Sequence, residues 1–77
     1  MAEKLTFRYD RPADILYVDT LPPYAEQETR EFGDDVIGRL NAATGAVENL
    51  EILFFSTRLL RSDLLEVPVY ASLQVPK

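Results

Sequence analysis

The stretch from Tyr9 to Val18, Y-D-R-P-A-D-I-L-Y-V, constrains the fold more than any other, because it writes a turn in Asp, Arg, Pro and Asp between two β-forming runs. Leu5, Phe7 and Tyr9 alternate with Thr6 and Arg8. That is the period-two pattern of a half-buried strand and predicts one from about Lys4 to Tyr9. Pro12 fixes φ and removes a donor, while Asp10 and Asp14 offer oxygens to the turn backbone, so the chain reverses before Ile15. Ile15, Leu16, Tyr17 and Val18 are apolar on both faces, as expected of a central strand covered on both sides.

Pro22 and Pro23 cannot continue a ladder, so the second strand stops near Leu21. A charged stretch then predicts a short edge strand through Thr29 to Phe32, its charges discouraging further pairing. Asp34 and Asp35 offer a turn into a strand from Val36 to Leu40. Asn41 to Gly45 fits a hairpin loop, and Ala46 to Phe54 returns as its partner strand. Beyond this the period changes. Ser56 or Thr57 predicts a helix cap, with Leu59, Leu60, Leu64 and Leu65 on one broad side and Phe55 and Leu60 as a hydrophobic staple. Pro68 ends any helix by Val67. Val67, Val69, Tyr70, Leu73 and Val75 are too apolar for a free tail, and the reading is an extended segment packed on the sheet or on a second subunit.

At 77 residues the chain reads as one domain over 1–77, of a size that buries only about 60% of its unfolded surface on folding. Its 47% hydrophobic content is too high for a disordered chain. Without cysteine there are neither disulfides nor thiolate metal sites, which favours the cytoplasm. The N-terminal segment has no apolar signal-peptide core and no stretch reaches the ~18 apolar residues of a membrane span, so no membrane association is expected. A net charge of -5 opposes nucleic-acid binding and suits a basic protein partner or plain solubility.

The run Y-D-x-x-A-D-I-L-Y-V, followed by V-I-x-x-x-N-x-x-x-G-x-V-x-x-x-E-I-L, resembles the domain-of-unknown-function family 2283, small prokaryotic proteins with a similar ordering of parts. The resemblance covers residues 9–57 and leaves 58–77 as helix and tail. It implies a compact antiparallel sheet with a short helix, and a role as the antitoxin-like member of a gene pair. Arg39 and Asn41 stand where the family often has acidic residues, and Asn49 stands where a glycine precedes Glu51-Ile52-Leu53.

Each candidate site has a plainer counterpart. Asp10 and Asp14 flank one turn and are the candidate ligands for a hard divalent cation or an acid/base pair, but turn capping uses the same residues and is preferred. Asp34 and Asp35 read as turn residues. Glu48 and Glu51, three apart in a strand, are expected on opposite faces, with Glu51 pairing with Arg39 across the hairpin. Arg58 and Arg61 read as a solvated helix face. Phe7, Tyr9 and Tyr17 read as core rather than as a base-stacking platform, since no basic surround accompanies them. With no histidine and no visible nucleophile arrangement, an enzyme is disfavoured.

These readings converge on an α+β fold: a four- or five-stranded antiparallel sheet with one short helix packed on a face. Leu5, Phe7, Leu16, Val18, Leu50, Ile52 and the helix leucines are the expected core. The expected function is a non-enzymatic protein-interaction module without cofactors, forming a homodimer and binding a basic partner. Phe54, Phe55, Val69, Tyr70, Leu73 and Val75 are the candidate interface. A small carboxylate- or cation-dependent enzyme and an accessory subunit of a larger complex are the alternatives.

Overall fold

A computed structural model describes residues 4–61, 65–69 and 71–75. Five strands are followed by one helix: β1 (Thr6–Asp10), β2 (Ile15–Asp19), β3 (Glu28–Gly33), β4 (Val36–Leu40), β5 (Val47–Leu53) and α1 (Phe55–Arg61). They form one sheet in the order β1-β2-β5-β4-β3, with every neighbouring pair antiparallel. The α+β architecture is therefore as expected. β2 is interior, between β1 and β5, and the charged β3 is an edge.

The turns follow local chemistry. β3 and β4 are joined through Asp34 and Asp35, both at positive φ (51° and 60°), as a tight hairpin turn matched to strand twist requires. The register shifts around Phe32, so β3 carries a bulge with Gly33 at φ 87°. Phe32 uses it to lay its ring over Gly38 in β4, where any Cβ would collide with it. A second shift, between Arg39 and Leu40, leaves Glu48 without a cross-strand partner in β5.

Cross-strand pairs share a face. Phe7 with Val18, Tyr9 with Leu16, Leu16 with Ile52, Val18 with Leu50, and Ile52 with Val36 therefore define one apolar face. The Tyr9 ring packs on Phe55 of α1 at 5.9 Å between centroids, so the helix is joined to this face.

The expected core needs correcting. Ile52 is buried, together with Val36 and Leu40, but Leu5 and Phe7 are 44% and 62% exposed and Tyr9 is exposed as well. Leu16, Val18 and Leu50 are half-buried. The face runs out of cover toward β1, an edge strand. The helix also differs from expectation. It begins at Phe55, so Ser56 and Thr57 lie inside its first turn, and the Arg58 N–H donates to the Phe54 carbonyl at 3.0 Å. Phe54, at φ 53°, is the capping position and turns β5 directly into α1. That connection aims Phe55 and Arg58, three residues apart, inward. Leu59 and Leu60 are left 54% and 88% exposed, and no Phe55–Leu60 staple forms. Leu64 and Tyr70 lie outside the described residues.

Candidate functional site

Asp10 caps its own turn, whereas Asp14 caps a helix distant in sequence. The Ala13 N–H donates to Asp10 Oδ1 at 3.2 Å, closing the first turn. Asp14 sits at φ 56°, a conformation that Asp tolerates better than most residues. Its carboxylate is reached from three directions. The Tyr9 hydroxyl donates to Oδ1 at 2.6 Å, the Ser56 N–H donates to Oδ1 at 2.9 Å, and the Ser56 hydroxyl donates to Oδ2 at 2.8 Å. The Phe55 N–H also donates to the Asp14 carbonyl at 3.0 Å. Phe54 has no side-chain oxygen, so the cap for α1 comes from the other end of the family-like core. The Tyr9 hydroxyl first, then the Ser56 N–H, holds the Asp14 carboxyl below its usual value, and the same bond raises Tyr9. Among the described residues no group of three or more His, Cys, Asp or Glu side chains is placed to hold a metal ion.

A second polar cluster was not legible in the sequence. Asn49, 2% exposed, is the most deeply buried polar residue described. Its amide nitrogen donates to Asp19 Oδ1 (2.9 Å) and to the Leu21 carbonyl (2.7 Å), and its Oδ1 accepts from Gln27 Nε2 at 2.7 Å. The Gln27 amide also donates to Glu48 Oε1 at 3.1 Å, and the Tyr24 hydroxyl donates to the same oxygen at 2.7 Å. The unpaired position of Glu48 in β5 brings its side chain to the same amide as that of its neighbour Asn49, so strict alternation fails there. Tyr24, then Gln27, holds Glu48 below its usual value. The cluster pins the loop after β2 against β5.

The arginines divide. Arg39 donates to Glu51 at 2.8 Å, the pair expected across the hairpin. Arg58 is a correction: it is 8% exposed, not solvated, and its Nη1 donates to Asp34 Oδ2 at 3.2 Å. Its Nε and Nη2 are buried without a hydrogen-bond partner among the described residues. Arg61 is exposed.

The candidate interface residues are dispersed. Phe54 is 56% exposed, whereas Phe55 is half-buried against Tyr9. Val69 and Leu73 line a groove of about 320 Å³ with Leu5, Val18 and Leu50, so the tail passes over the apolar face. Leu73 and Val75 nonetheless stay 79% and 90% exposed. Sequence reasoning assigned Leu5, Phe7 and Tyr9 to the core, and these join the exposed apolar set. On the opposite face Tyr17 is half-buried, with the Arg8 guanidinium 4.1 Å above its ring.

No helix among the described residues is long and apolar enough to cross a membrane. No curated protein and no solved structure gives a match to the chain. One family model, described as a protein of unknown function, matches residues 6–56, from the start of β1 to the first turn of α1, and so takes in both ends of the Asp14–Ser56 contact. The match spans more than half of the chain, which therefore belongs to the DUF2283 family.

Proposed function

We propose that this chain is a non-enzymatic protein-interaction module of the cytoplasm that homodimerises and binds a basic protein partner. The observation that carries this reading is the imbalance of its apolar surface. Among the described residues three large apolar side chains, Val36, Leu40 and Ile52, are buried, while Leu5, Phe7, Phe54, Leu59, Leu60 and Leu73 are each at least 44% exposed. Exposed large apolar side chains in such excess over the buried ones suit a surface that a partner covers, and a net charge of -5 favours a basic partner. The occupation of Asp10 and Asp14 by turn and helix donors supports this reading over a carboxylate-dependent enzyme. The antitoxin-like role implied by the resemblance is one form of it.

The test is co-purification of the tagged full chain with the product of the neighbouring gene, at low and high salt, beside light scattering of the chain alone. The expected result is a complex weakened by salt, or a dimer. A monomer at high concentration with no captured neighbour would overturn the reading.

A further inference from the structure

The geometry points to a specific homodimer, formed by antiparallel pairing of β1 with β1 of a second copy about a two-fold axis at Phe7. This rests on the interaction reading above and assigns its self-association to one strand and one register.

The two sheet edges are unequal. β3 is guarded by exposed Glu28, Arg30 and Glu31 and by its bulge, devices that discourage edge pairing. β1 has no bulge, and among the described residues no strand lies on its outer side. Its free hydrogen-bonding groups can be assigned. The Phe55 N–H donates to the Asp14 carbonyl and the Thr20 N–H to the Glu48 carbonyl, so even-numbered residues of β2 face β5. Odd-numbered residues of β2 then face β1, where their partners are Thr6, Arg8 and Asp10. Phe7 and Tyr9, and Leu5 by the same alternation, direct their backbone N–H and C=O outward. Their side chains lie on the apolar face, 62%, 41% and 44% exposed in that order.

An antiparallel two-fold pair permits only registers centred on a residue. Centring on Arg8 sets two arginines opposite each other, and centring on Thr6 sets Lys4 opposite Arg8. Centring on Phe7 sets Phe7 against Phe7 and Leu5 against Tyr9 on the apolar face. On the other face it sets Lys4 against Asp10 and Thr6 against Arg8. This register alone joins every outward backbone group from Leu5 to Tyr9 while placing opposite charges at both ends and like charges nowhere. The net repulsion between two chains of -5 is screened beyond about 8 Å at physiological salt. The product is a continuous ten-stranded sheet whose apolar face is doubled at the point where each chain leaves it uncovered.

The test is sedimentation equilibrium of the full chain, with circular dichroism to establish folding. Phe7→Glu changes an exposed side chain and is expected to fold, raising the dimer dissociation constant by about a hundredfold, because two carboxylates replace the central apolar contact. Leu73→Glu/Val75→Glu is expected to leave the dimer intact. Lys4→Glu and Asp10→Lys are each expected to weaken self-association, and an equimolar mixture to form a heterodimer with both charge pairs restored. If Asp10→Lys does not fold, a single label at Thr6 read against one at Arg8 by spin–spin distance distinguishes the registers. A dimer indifferent to Phe7→Glu but broken by the tail variant would overturn the β1 assignment and leave the interaction reading standing. A wild-type monomer would also overturn it, and the interaction reading would then rest on capture of the neighbouring gene's product alone.

Discussion

Asp14 accepts both the backbone N–H and the hydroxyl of Ser56, at 2.9 and 2.8 Å, so a turn between the first two strands caps a helix 42 residues further along the chain. The contact ties the first turn of α1 to the turn after β1 and so fixes where the helix starts. It also links the helix cap to the ionisation of the Asp14 carboxylate.

The pH dependence follows with a definite sign. Asp14 and Glu48 have folded pKa values below their unfolded ones, so their stabilisation is present above about pH 4 and is lost as pH falls through the folded values. Tyr9 and Tyr24 are raised by the same hydrogen bonds, so that contribution is present below about pH 10 and is lost as pH rises. Urea melts across pH should show both limbs. Asp14→Asn should flatten the acid limb and Tyr9→Phe the alkaline one, and unchanged slopes would contradict the assigned bonds.

Much of this arrangement was legible because it is written in short-range chemistry. Pro12, the Asp34-Asp35 pair and the Asn41–Gly45 segment punctuate the chain at the observed turns, and period-two alternation locates the strands between them. The helix face was not legible. Leu59 and Leu60 suggested an apolar side, but the direct β5-to-α1 connection at Phe54 decides which residues face inward, and it selects Phe55 and Arg58. The exposure of Phe7 and Tyr9 was hidden for a similar reason, since alternation marks a shared face without showing whether anything covers it. Asn49 looked like a substitution for glycine, and only the folded loop brings Asp19, Leu21 and Gln27 to it.

Gly38→Val should destabilise the domain by about 1–3 kcal/mol, the usual cost of overpacking, because the Phe32 ring occupies the space a side chain needs. Combining it with Phe32→Ala should cost less than the sum of the two single changes, as expected of residues in direct contact. A double-mutant cycle in urea measures the difference, and strict additivity would mean that Phe32 does not sit over Gly38.

Asn49→Ala should cost about 1–3 kcal/mol, since it leaves the Leu21 carbonyl and the Gln27 amide short of a buried partner. Asn49→Asp should be worse, because it sets a carboxylate beside Asp19 and beside the Leu21 carbonyl, both of which require a donor. Thermal melts rank the two, and hydrogen exchange should show the loop after β2 opening first.

Arg58 and Asp34 should respond unequally although they form one pair. The Arg58 side chain is 8% exposed and that of Asp34 is 74% exposed, so the desolvation cost falls almost wholly on the arginine. Asp34→Ala removes its only partner among the described residues and leaves a buried guanidinium unpaired. A loss of about 1–3 kcal/mol is expected, as for a buried donor stripped of its acceptor. Arg58→Met keeps most of the side-chain volume and removes the buried charge, while Asp34 simply returns to water. That change should be neutral or stabilising, because well-packed apolar residues often replace buried ion pairs without loss. Denaturant melts of the two variants decide it: if Arg58→Met were the more damaging, the guanidinium must satisfy its Nε and Nη2 groups elsewhere, and its burial would be a source of stability rather than a cost.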